Sequence, residues 1–132
     1  MHTSVILIHN LPDGSSHFDW LIDQPELQSE RRLLTFRCQH RPDSTDHADF
    51  QAIKIPDHRA IYLTYEGPIS NNRGTVQRLA AGRVVHLEQT PLSISILINW
   101  PSQTIAYKAT QNPQSTTLWN FHQHAHNSPL DA

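Results

Sequence analysis

Cysteine is nearly absent: Cys38 is the single thiol in 132 residues, so no intrachain bridge can form and a disulfide-stapled secreted scaffold is excluded. That points to a reducing compartment, with Cys38 read as a buried or surface thiol rather than a nucleophile. An excess of charge of one sign is also lacking. Ten Lys and Arg against twelve Asp and Glu leave a formal net charge of −2, so no global basic field exists to hold nucleic acid by counterion release. A basic groove can only be local. No apolar run approaches the roughly 20 residues of a bilayer-spanning helix. The first apolar stretch, Val5 to Ile8, is too short for a signal-peptide core and has no Lys or Arg ahead of it. These absences predict a cytoplasmic protein without a membrane partner. The chain also has no P-loop, no dinucleotide-binding glycine fingerprint, no Gly-x-Ser-x-Gly elbow and no paired-Cys motif, so nucleotide cofactors and a serine-hydrolase mechanism lack support.

What is present is a series of short apolar runs with a period near two. They include SVILI (4 to 8), HFDWLI (17 to 22), RLLTFRC (32 to 38), QAIKI (51 to 55), AIYLTY (60 to 65), GTVQRL (74 to 79), RVVHLE (83 to 88) and LSISILINW (92 to 100). TIAYKA (104 to 109) and TLWNFH (117 to 122) complete the set. Such runs read as strands, and the spacers LPDGSS, SNNRG, AAG, PSQ and QNPQS read as turns. Helix is scarce, with one short helical turn expected over Pro25 to Glu30. Alternation places Leu92, Ile94, Ile96 and Ile98 on one core-facing side. Gln39 to Phe50 is expected to be the longest mobile loop. A chain of this length buries roughly two thirds of its unfolded surface and needs no staple. The predicted fold is mainly β: a single-domain, closed or partly open β-barrel of about eight to ten short strands. Residues 1–121 are assigned to the barrel and residues 122–132 to a C-terminal tail.

Ten histidines stand out, because imidazole binds metals and moves protons near neutral pH. His17 and Asp19 lie two apart in a strand and share a face, while Phe18, Trp20 and Ile22 make a core stripe on the other. If LPDGSS folds as a hairpin loop, His9 comes back beside His17 and completes a His, His, Asp set suited to Mn²⁺ or Zn²⁺. The alternative is an edge-strand His9 beside an exposed polar face. His58, Ala60 and Tyr62 share a face if a strand begins at Asp57, lining up an imidazole and a phenol that can donate to an oxyanion. A core-edge Tyr with a surface His is the alternative there. His122, His124 and His126 alternate and form either an adventitious metal site or part of the tail.

Two of these segments carry a resemblance. HFDWLI after an upstream His, together with PDHRAIYLTYEGPISNNRGTV (56 to 76), is similar to the 3′-phosphoesterase domain at the N-terminus of bacterial DNA ligase D and its stand-alone relatives. The similarity runs from about Val5 to Gly82. It implies a small β-barrel with its site in a crescent groove, a manganese ion on His9, His17 and Asp19, and a phosphate held by His58 and Tyr62. The implied activity removes a 3′-terminal ribonucleoside and then the 3′-phosphate at a primer end. The implied partners are DNA or RNA/DNA 3′ ends and the repair proteins found there. Three departures accompany the likeness. The ligand histidines stand two residues farther apart, which predicts an outward bulge of the LPDGSS loop. Leu21 occupies the position of a phosphate-gripping Arg, a bidentate contact that Leu cannot replace. An arm that precedes the family's barrel is not seen before the first strand. Arg59 or Arg73 could supply the missing positive charge from a loop. The expected function is therefore a metal-dependent 3′-phosphoesterase. The alternative is a non-catalytic barrel that binds metal or DNA ends without turnover.

Overall fold

The computed structural model describes residues 2–126. Nine strands follow in chain order: β1 (Thr3–Asn10), β2 (Ser16–Asp23), β3 (Leu33–Cys38), β4 (Asp49–His58), β5 (Gly67–Pro68), β6 (Thr75–Gln89), β7 (Ser93–Asn99), β8 (Thr104–Gln111) and β9 (Leu118–Ala125). One turn of 3₁₀ helix, Ala60–Leu63, lies between β4 and β5. The neighbour order is β1-β2-β3-β4-β9-β8-β7-β6-β5, and β1 also pairs with β6. Every pairing is antiparallel. Eight strands thus close a ring and β5 hangs on β6 outside it, giving the barrel-like, mainly β fold expected from the alternation. Among the described residues no helix is long and apolar enough to cross a membrane.

Alternation sorts the side chains into two cores. Ile6, Trp20, Ile22, Phe36, Ile98 and Phe121 fill the barrel interior with their neighbours. Because strands of period two present a second face, Val5, Leu7, Leu21, Leu33 and Val76 point outward. They are buried all the same, since the crossover from β4 to β6 lays Tyr62, Leu63, Tyr65 and Ile69 over them. Burial on both faces explains why VILI and WLI are continuous apolar runs. The crossover, residues 59–74, is the longest connection of the ring among the described residues, and it brings a second set of polar groups to this outer face.

Several local expectations are corrected. AIYLTY is not a strand: Tyr62 N–H bonds Arg59 O at 3.0 Å and Tyr65 N–H bonds Ile61 O at 2.9 Å. Its aromatics gain more by packing on the outer core than by joining a ladder. GTVQRL and RVVHLE are one strand, β6, which exchanges partner from β1 to β7 near Arg83 and Val84. Gly82 permits this crowding, since a Cβ there would lie 2.7 Å from the Trp100 ring and 2.8 Å from Asn99 O. Over Pro25 to Glu30 there is no helix, only a turn in which Leu27 N–H bonds Gln24 O at 3.0 Å. Ile94, Ile96 and Ile98 face the core, but Leu92 precedes β7 and is exposed.

The loop between β3 and β4 is tied down. Tyr107 Oη donates to the carbonyl of buried Pro42 and accepts from Trp100 Nε1 at 2.8 Å. Gln123 Nε2 donates to the carbonyls of Ser44 and His47. The tail boundary also moves, because residues 122–125 belong to β9 and pair with β8, His122 pairing with β4 as well. His126 N–H still bonds Thr104 O at 2.8 Å. The remainder of the expected tail, residues 127–132, lies outside the described residues.

Candidate metal centre

The hairpin of β1 and β2 sets the centre. Its register places His9 directly opposite His17 and Leu7 opposite Asp19, without a slip. The loop after β1 is closed beyond the strands. Leu11 N–H bonds Ser15 O at 2.8 Å, Gly14 N–H bonds Leu11 O at 3.0 Å, and Gly14 takes φ +89°. Asp13 accepts from Ser15 Oγ at 2.6 Å and Ser15 N–H at 2.9 Å. Those two donors hold its carboxyl below the usual value. The loop therefore closes on itself and leaves His9 opposite His17.

Three side chains converge on the outer face. His9 Nδ1 lies 3.2 Å from His17 Nε2 and 3.5 Å from Asp19 Oδ2, and His17 Nε2 lies 3.1 Å from Asp19 Oδ1. Among the described residues this is the group of three or more metal-binding side chains found close together. Donors about 2.1 Å from a divalent ion sit about 3.0 Å apart in octahedral and about 3.4 Å apart in tetrahedral coordination. The observed separations match those edges. Asp19 is 3% exposed, and its Oδ1 has no hydrogen-bond partner despite the nearby ring nitrogen. A buried carboxylate oxygen without a donor is costly unless a cation faces it. The donor set thus fits a small divalent ion, and three protein ligands leave coordination positions open.

The centre borders a groove of about 850 Å³. His9, Asp19, His58, Arg59, Tyr62 and Arg73 all contribute to its lining. His58 and Tyr62 meet through the 3₁₀ turn rather than through a shared strand face, with ring centroids 5.7 Å apart. His58 Nδ1 donates to Pro56 O at 2.9 Å, which leaves Nε2 available. Arg59 stacks over Tyr62 at 5.9 Å and has Nη1 3.7 Å from Glu30 Oε1. Arg73 donates from Nε to Ser70 O at 2.8 Å and from Nη2 to Ser70 Oγ at 3.1 Å.

Leu21 is fully buried in the outer core beneath the crossover, so an arginine there would have to displace that packing. Two cations that the sequence reading missed, Arg31 and Arg37, also line the groove. Arg37 is the cross-strand neighbour of Asp19. The signal for it was present in RLLTFRC, whose alternation puts Arg37 on the face of Leu33 and Thr35 once that run is paired with HFDWLI. A separate recess of about 600 Å³ outside β7 to β9 contains Asp49, Lys108 and His122, but no three metal donors converge there among the described residues. The chain matches no protein-family model and no curated protein.

Proposed function

We propose that the groove is a metal-dependent phosphoesterase site taking the phosphate at a nucleic-acid 3′ end. The observation that carries this reading is the meeting of His9, His17 and Asp19, 3.1–3.5 Å apart, beside a groove that also holds an imidazole, a phenol and arginines. His9, His17 and Asp19 would hold a divalent ion, manganese by preference and zinc on the same donors, which would supply Lewis-acid charge to the phosphate. His58 and Tyr62 donate hydrogen bonds to the other phosphoryl oxygens. Hydrolysis joins a water oxygen to phosphorus and breaks the bond from phosphorus to O3′. As an imidazolium, His58 keeps Nδ1–H on Pro56 O and passes its Nε2 proton to the departing O3′, while the protons of the attacking water leave with the released phosphate. Arg31, Arg37 and Arg59 make the local basic surface that a chain of net charge −2 otherwise lacks. In this reading the partners are DNA or RNA/DNA ends and the repair proteins that act on them.

A binding-only barrel is the second reading. It is favoured by the engagement of Arg73 with Ser70 and by the burial of position 21, which remove two guanidinium contacts from the phosphate. The test is incubation with a 3′-phosphorylated primer and Mn²⁺ or Zn²⁺. Phosphate release by the native chain, lowered roughly 10²- to 10⁴-fold in His58→Ala, is expected for an enzyme, with release abolished in His17→Ala. End binding without release selects the second reading. Neither release nor end binding overturns both.

A further inference from the structure

We infer that the loop from Ser70 to Gly74 is the positioning element of the metal centre, with the Arg73 carbonyl selecting the ligand-competent form of His9. This rests on the metal reading of the triad. His9 Nε2 lies 2.7 Å from Arg73 O. A carbonyl can only accept, so Nε2 carries the proton and Nδ1, the nitrogen facing His17 and Asp19, presents a lone pair. With the proton on Nδ1 instead, an N–H would point into the donor set and exclude a cation. A backbone carbonyl that fixes the far nitrogen of a ligating histidine is the common outer support of metal sites.

The loop is built to hold that carbonyl still. Ile69 N–H bonds Gly74 O at 2.8 Å and closes the turn between β5 and β6. Asn71 and Asn72 both take left-handed backbone, φ 63° and 54°, a region that Asn tolerates better than most residues. Gly74, φ 94°, sits so close to β1 that a Cβ would lie 1.9 Å from Asn10 O, one residue beyond His9. The Arg73 guanidinium then latches the loop through its two bonds to Ser70. Arg73 is therefore a positioning residue, acting on the centre through its main chain while its side chain locks the turn.

The experiment reads the tautomer and the affinity separately. Long-range ¹H–¹⁵N correlations on ¹⁵N-histidine-labelled, metal-free protein at pH 8 report which nitrogen of His9 bears the proton, and calorimetric titration with MnCl₂ reports affinity. The native chain is expected to show Nε2–H. Arg73→Ala is expected to mix the tautomers and to weaken Mn²⁺ binding about 10- to 100-fold. Asn72→Gly, which keeps left-handed backbone, is expected to retain both properties. Ser70→Ala, which removes one latch acceptor, is the second variant should Arg73→Ala fold poorly, and it is expected to move both readouts the same way by less. Native His9 found as Nδ1–H overturns the role of the loop, as do latch variants with unchanged tautomer and affinity. Native Nε2–H without any Mn²⁺ or Zn²⁺ binding overturns instead the metal reading beneath it.

Discussion

Replacing Asp19 with Asn should raise the stability of the metal-free protein while abolishing its response to metal. Asp19 is 3% exposed and its Oδ1 lacks a hydrogen-bond donor. Leaving such a group unsatisfied costs about 1–3 kcal/mol. The isosteric amide carries no charge, and its Nδ2 in the place of Oδ1 can donate to His17 Nε2, 3.1 Å away. Recovering even about 1 kcal/mol raises Tm by about 3–5 °C for a chain of this length. Metal acts in the opposite sense. A ligand present at 100 times its Kd stabilises the native state by about 2.7 kcal/mol, or about 10 °C, and the Asn variant should lose nearly all of that gain. Thermal melts by circular dichroism, after chelation and again with MnCl₂, separate the two effects: the variant melts higher without metal and lower with it. A variant that melts below the native chain in chelator, or that keeps the full Mn²⁺ shift, refutes the claim that Asp19 is held unpaired for a cation.

Other perturbations test the surrounding framework. Leu21→Arg would bury a guanidinium where the side chain is 0% exposed, costing roughly 3–5 kcal/mol. The expected result is a collapsed denaturation midpoint, and a well-folded variant with faster phosphate release would contradict the packing role. Tyr107→Phe removes the partner of both Trp100 Nε1 and Pro42 O. It should lower urea stability by roughly 1–3 kcal/mol and speed proteolysis between residues 39 and 48. Burial pushes the Cys38 thiol well above its ordinary 9.0 and the Tyr107 phenol above its ordinary 10.0. Both groups stay protonated when folded and ionise when unfolded, so stability is full below about pH 9 and falls as pH rises past it. Thiol labelling at pH 8 should accordingly track unfolding, and rapid labelling of native protein would contradict the burial.

The hairpin carrying the triad was legible because two local rules agree. Alternation sends His17 and Asp19 to one face and Trp20 to the other, and a turn-rich spacer returns His9 beside them. The groove's second half was legible in its residues and not in its geometry. His58 and Tyr62 do meet, but the β-branched and aromatic composition of 60–65 reads as strand, and only the outer core beneath it makes a turn the better conformer. Outer burial of Val5, Leu7 and Leu21 cannot be read from period two, which predicts one wet face per strand. The same holds for β6. Ala80, Ala81 and Gly82 have turn-like composition, yet the two alanines pair with Ile6 and Val5 of β1, and Gly82 lies where a Cβ would meet Trp100 and Asn99. Residues 122–125 lack aliphatic anchors and so read as a tail, whereas pairing with β8, joined at His122 by β4, supplies their order.

The crossover that roofs the outer core also gives the barrel and the site different thresholds. It contributes nothing to the barrel interior and is fastened by a few links, among them Ala60 N–H to Glu30 O, Arg78 Nη1 to Leu63 O and Arg78 N–H to Glu66 Oε2. Segments of this kind open at free energies well below that of global unfolding. Its release would withdraw Tyr62 and free the ring of His9 while all eight strands of the closed cylinder stay joined. The arrangement of the site can thus be lost and regained without the protein ever melting, and warming should disorder the site before the spectrum of the sheet begins to change.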